Sequence, residues 1–150
     1  MQHSIPFSMA TLIISDEKLG RPKEPALTID CLTETLTVRE LIRQRVYQEV
    51  QDYNHRVATE SSKPLPKLLV TPTEVETRLN ARSPNIAPNR PTKLREIRWE
   101  AQFELACRAF ESNGFFVLIG DRQAEELDEE FSVALDTEIT FVKLVPLVGG

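Results

Sequence analysis

Two glycines, Gly149 and Gly150, stand at the end of the sequence, behind the apolar run Glu138-Ile-Thr-Phe-Val-Lys-Leu-Val-Pro-Leu-Val148. A glycine pair removes every side chain around a carboxylate, so a narrow enzyme channel can admit the bare backbone. The chemistry this favours is adenylation of the Gly150 carboxylate and its transfer to a nucleophile. An idle chain end is the plain alternative, since termini are usually frayed and inert.

No rival centre competes for the chemistry. His3 and His55 have no Ser, Cys or Asp at a catalytic spacing, and the 5 glycines form no phosphate-cradling loop. Cys31 and Cys107 belong to apolar-patterned segments and read as reduced core residues, which points to a cytoplasmic setting. The acidic run from Glu125 to Glu130 reads as a solvated loop rather than a metal site. The expectation is therefore a non-enzyme, with no catalytic residue, no metal and no cofactor.

Composition narrows the class further. The chain has 150 residues, 27% of them charged and 41% hydrophobic, with a net charge of −5. That is ordinary for one globular domain. The negative balance and the lack of a dense Lys/Arg patch argue against nucleic acid. No apolar run approaches the roughly 20 residues needed to cross a bilayer, so no membrane role is expected. Residues 1–9 read as a disordered leader without signal-peptide character.

Stepping along the chain, Thr11–Ser15 and Ala26–Cys31 read as two strands around a turn rich in Gly and Pro. Thr37-Val-Arg-Glu40 is a capping box. It opens a helix over residues 38–53, with Val38, Leu41, Ile42, Val46, Val50 and Tyr53 on one face. From Asn54 the spacing predicts a loop, then a short helix about 72–80 after Thr71-Pro-Thr-Glu74, then a proline-stiffened loop. A longer helix is expected over about 92–112, ended by Asn113-Gly114. It carries a slim stripe (Leu94, Ile97, Ala101, Leu105, Ala109) and a bulky one (Trp99, Phe103, Ala106, Phe110) on nearly opposite sides. Two apolar sides imply either a sandwiched helix or a bulky stripe that docks a partner. Phe115–Ile119, a turn at Gly120–Gln123 and a closing strand complete the order.

That order resembles the ubiquitin-like β-grasp family, an α+β fold in which a mixed sheet wraps one helix. From Phe115 to Gly150 the chain overlays without a gap on the C-terminal half of ubiquitin. Gly120-Asp-Arg-Gln123, Glu125, Glu138 with Thr140, and the final Val145-Pro-Leu-Val-Gly-Gly150 fall on matching positions. Residues 11–53 supply the expected hairpin and helix, so the domain runs from residue 10 to 150, with an insertion at about 54–113. Lys143 falls where the overlay wants a core residue. An unpaired buried lysine is costly. The alternation therefore favours Val142 and Leu144 inward and Phe141, Lys143 and Val145 outward, with a slip or bulge between Asp136 and Ile139.

The resemblance implies a modifier whose Gly149-Gly150 end is adenylated with ATP by an activating enzyme and joined to a target amine. A conjugating enzyme and a metallopeptidase are the further partners it implies. Val145, Pro146, Leu147 and Val148 would form an uncharged strand read in the activating enzyme's channel. The family's apolar recognition patch falls on Leu118 and Leu144, with Leu19 near it and Phe141 in place of Leu144 if that residue points inward. Two further readings stand beside the modifier. One is a sulfur carrier with a terminal thiocarboxylate. The other is a non-covalent β-grasp interaction module, docking or self-associating through Trp99, Phe103 and Phe110.

Overall fold

The computed structural model describes residues 10–18, 20–59, 62, 65–66, 68–71, 95–133 and 137–144. The expected leader at 1–9, the helix at 72–80, Leu19 and the tail from Val145 to Gly150 lie outside these residues. The chain is mixed α+β. Its strands are β1 (Ala10–Lys18), β2 (Glu24–Cys31), β3 (Thr35–Thr37), β4 (Phe115–Ile119), β5 (Arg122–Gln123), β6 (Glu130–Ser132) and β7 (Thr137–Lys143). The described helices are α1 (Val38–Ala58) and α2 (Trp99–Glu111). None of the described helices is long and apolar enough to cross a membrane. Two compact units divide the chain, Met1–Arg45 with Cys107–Gly150, and Val46–Ala106.

In the first unit a five-stranded mixed sheet has the order β2-β1-β7-β4-β5. β1 and β2 form an antiparallel hairpin. Its turn needs a positive φ of 80° at Gly20, a conformation that costs a residue with a Cβ. β7 runs parallel to β1, from Leu12↔Thr137 to Lys18↔Lys143, and antiparallel to β4. The pairing puts Leu12, Ile14, Val117, Ile139 and Phe141 on one side of the sheet, all wholly buried. Val38, Leu41 and Ile42, from the start of α1, are buried as well. A chain of rings, Phe110–Phe115–Phe141, extends this core with centroids 6.0 and 5.8 Å apart.

The start of α1 is capped from two directions. Thr37 Oγ1 accepts from the Glu40 N–H at 3.1 Å, as the capping box predicts. The Glu40 carboxylate does not complete the box in the expected way; it accepts from Arg43. The carbonyls of Glu129 and Leu127 take the Val38 and Arg39 N–H groups at 3.0 and 2.8 Å. Three N–H groups that a helix start leaves without an intrahelical partner are thereby satisfied. A second small sheet, β3 with β6, brings the 127–129 loop to this place.

The second unit shows where tertiary contacts override local pattern. α1 continues to Ala58, five residues past the expected end. An Arg56–Asp52 ion pair one turn apart supports the extension, and Thr59 closes it on the His55 carbonyl. α2 begins at Trp99, and 95–98 are not helical although the spacing predicts a helix from about 92. Asn54 is the reason. Its amide donates to the Ile97 carbonyl at 2.9 Å and accepts from the Ile97 N–H at 2.8 Å, leaving neither group for a helix ladder. The far end of α2 follows expectation, with Asn113 at φ 62° and Gly114 N–H on the Ala109 carbonyl.

Thr37→Ala removes one cap and leaves the Glu40 N–H unpaired. Urea denaturation is expected to show a loss of about 1 kcal/mol (roughly 0.5–2) with an unchanged m-value.

Candidate functional site

β7 is the strand from which the Val145–Gly150 tail continues, so its two faces define what lies before the diglycine. Paired residues share a face of the sheet. Lys143 therefore lies with Lys18 and Phe115, and Phe141 with Asp16 and Val117, on the side carrying the core. Val142 shares the opposite face with Glu17 and Phe116, and Thr140 with Ser15 and Leu118. This reverses the expected phase of the strand. Phe141 points inward and is wholly buried, so it is no partner-surface residue. Leu144 is 38% exposed rather than inward. The pairing of β7 is regular from Thr137 on, with no slip or bulge at Thr137–Ile139.

The reversal rests on a carboxylate that the sequence reading did not weigh. Arg45 is wholly buried, and its guanidinium meets Asp16 with both terminal nitrogens, Nη2 to Oδ2 at 2.8 Å and Nη1 to Oδ1. Such fork-on-fork pairing fixes orientation as well as charge. The guanidinium carbon also lies 4.3 Å from the centre of the Phe141 ring, a cation–π contact. Lys143 Nζ stands 3.6 Å from Oδ2 of the same carboxylate. The lysine is thus paired, which removes the objection to its inward placement. Burial pushes the Asp16 carboxyl up, but the hydrogen bond and charge of Arg45, followed by Lys143, outweigh it and hold the carboxyl below its ordinary 3.8.

The opposite face carries the apolar residues nearest to the tail. Leu118, Phe116 and Val142 are half-buried on it, and Ile13 joins them across β1 from Glu138. Leu118, expected on a partner surface, lies on this face, paired with Thr140. Phe116, Val142 and Ile13 share the face with it. Counting every second residue back from Leu118 and Leu144 is the signal that would have found Phe116 and Val142.

Of the three aromatic residues expected to dock a partner, two share a surface. Trp99 and Phe103 are half-buried, and Trp99 meets the 45% exposed Tyr47 edge-on at 5.4 Å. Phe110 is 7% exposed, packed on Phe115, and belongs to the core instead. In α2 the buried residues are Gln102, Ala106, Cys107 and Phe110; of the slim stripe Ile97, Leu105 and Ala109 are half-buried, Ala101 is exposed and Leu94 lies outside the described residues. Gln102 is buried because its amide donates to the Val70 carbonyl at 2.9 Å. In the same unit the Leu69 N–H donates to the buried carboxylate of Glu49.

The remaining candidates are quiet. Cys31 and Cys107 are buried thiols, and burial, with the Asp30 charge beside it, pushes the Cys31 thiol up, away from the reactive thiolate. His55 is exposed in the last turn of α1. Of the acidic stretch, 125–129 folds as a loop held by Glu129, which accepts from Arg122 and from the Glu125 N–H, while Glu130 begins β6. Arg39, Phe110, Asn113 and residues 125–128 line a polar hollow of about 340 Å³ beside it. No protein-family model, curated protein or solved structure matches the chain.

Asp16→Asn takes the paired carboxylate away from the buried Arg45 guanidinium. The expected loss at pH 7 is about 3–5 kcal/mol of unfolding free energy. The folded-state pKa of Asp16 is depressed, so its contribution is full above the unfolded value near 3.9 and is lost as pH falls through the folded value. Denaturant titrations at a series of pH values should therefore show a shallower acid loss below about pH 4 in the variant than in the parent.

Proposed function

We propose that the chain is a ubiquitin-like β-grasp protein and a protein modifier, acting through the Gly150 carboxyl. One observation carries this reading. The first and last strands, β1 and β7, lie side by side and parallel in the middle of the sheet, each flanked by an antiparallel partner. The start of α1 packs on one face, Arg45 lying over Phe141. That arrangement is what the grasp of a mixed sheet around a helix requires, and it directs the last strand toward the diglycine. The six residues Val145–Gly150 reach up to about 20 Å when extended, enough to enter an enzyme channel.

The chemistry belongs to a partner enzyme. The Gly150 carboxylate attacks the α-phosphorus of ATP, and pyrophosphate leaves. An enzyme thiolate then displaces AMP from the acyl-adenylate to form a thioester. A target amine attacks that thioester, yielding an amide and returning the thiol. The carboxyl is the chain's own end or is freed by a peptidase that cuts after Gly150. Val145, Pro146, Leu147 and Val148 are read as an uncharged strand, while the face bearing Leu118 and Leu144 meets the partner proteins. Gly149 and Gly150 supply access through lack of bulk.

A second reading, a non-covalent interaction module, is favoured by the exposed Tyr47 against Trp99 and Phe103. The two separate experimentally. A chain ending at Gly150 is incubated with source-cell lysate and ATP, and its intact mass and adducts are measured. The modifier reading expects ATP-dependent adducts that vanish with Gly150→Ala. Sulfur replacing one terminal oxygen would instead mark a sulfur carrier. An unmodified chain with an active lysate, together with partner capture lost in Trp99→Ala but kept in Gly150→Ala, would overturn the covalent reading.

A further inference from the structure

β2 is an edge strand, with β1 on one side and no strand on the other among the described residues. An edge of this kind offers a row of backbone N–H and C=O groups to another strand. One end of it is blunted. The pairing shifts from Leu27↔Ile14 to Pro25↔Ser15, leaving Ala26 as a bulge beside a proline that has no N–H to give. Beyond the bulge, Leu27–Cys31 is regular and carries neither proline nor lysine, the usual guards of an edge. Leu27 and Ile29 are paired with Ile14 and Leu12, which are wholly buried, yet they are themselves only half-buried. The core is open at Leu27 and Ile29, while Cys31 at the end of the stretch is buried. Leu32, directly after it, is 76% exposed.

We infer that a second copy of this chain occupies the edge, β2 pairing antiparallel with its symmetry mate about Ile29. The register follows from the bulge. The unbroken stretch is Leu27-Thr28-Ile29-Asp30-Cys31, and only a centre at Ile29 pairs all of it with itself. On the core side Ile29 then meets Ile29 and Leu27 meets Cys31, closing the open margin of both copies. On the other side Thr28 meets Asp30. Asp30 is the one charge in the stretch, so no like charges are opposed. Its carboxylate accepts from Thr11 Oγ1 and keeps lone pairs for a second hydroxyl. A symmetric mate also places the exposed Leu32 against the small Ala26. An unrelated peptide would have to reproduce this alternation, whereas a second copy supplies it by symmetry. A pairing confined to Leu27–Cys31 of each copy is small beside a standard interface, so the dimer is weak and forms with concentration.

Sedimentation equilibrium of the full chain over a concentration series reads the association. Thr28 is exposed, so substitutions there spare the fold, which circular dichroism checks. Thr28→Asp sets a carboxylate against Asp30 twice per dimer and is expected to raise the dissociation constant about three- to thirtyfold. Thr28→Lys sets a cation there and is expected to lower it. Opposite responses of two folded variants support the register. A chain that stays monomeric throughout, or equal responses of the two variants, overturns the proposal, as does a β2 edge taken only by a foreign peptide.

Discussion

The parallel pairing of β1 with β7 is the constraint on which the first unit depends. Parallel neighbours cannot be joined by a tight turn; the chain has to leave the sheet and return. Here the return spans everything between Lys18 and Thr137, so the central ladder is the last contact the sequence order makes available. β2 and β4 are the outer partners of β1 and β7, and without the central pair they would belong to two separate hairpin-like pieces with no common core. Pairing across so long a separation slows folding, because loop closure precedes the reward. It also sets the phase of β7, on which every assignment near the tail turns.

The charge network at the end of β7 is the second layer of that constraint. One carboxylate, Asp16, serves two cations from different elements, Arg45 of α1 and Lys143 of β7. Removing such groups from water is costly, and paired geometry with full hydrogen bonding offsets the cost. The Phe141 ring, lying under the guanidinium, adds a face that attracts cations. The effect is to tie helix, first strand and last strand at the point where the chain departs toward Gly150. On the opposite face of the same strand Glu138 and Leu144 are exposed, Thr140 is buried and Val142 is half-buried, so the charge network belongs to one face alone.

Much of this was legible in the residues. The hairpin, the core stripe of α1, the Thr37 cap, the Asn113 left-handed cap and the apolar strand at 115–119 each carry a local signal of periodicity, capping or turn chemistry. What escaped were features made by distant pairs. β3 and β6 have three residues each, too few to show alternation, and exist because they pair with each other. The start of α2 differs from the local pattern because Asn54, some forty positions upstream, takes both backbone groups of Ile97. Alternation alone places Lys143 and Phe141 outward, because a lone lysine reads as surface until its carboxylate is known.

The sequence by itself determined the kinds of elements and the chemistry available: an α+β chain, an apolar closing strand, a diglycine behind it and buried inert thiols. Those properties reside in neighbouring residues, whose propensities and spacing act within a turn or two. Only the tertiary structure decided which side of β7 faces the core, where α2 starts and which edge of the sheet stays open. Each of these is settled by groups far apart in the chain, where a buried charge must find its counter-charge and a backbone group accepts whichever partner the fold brings to it.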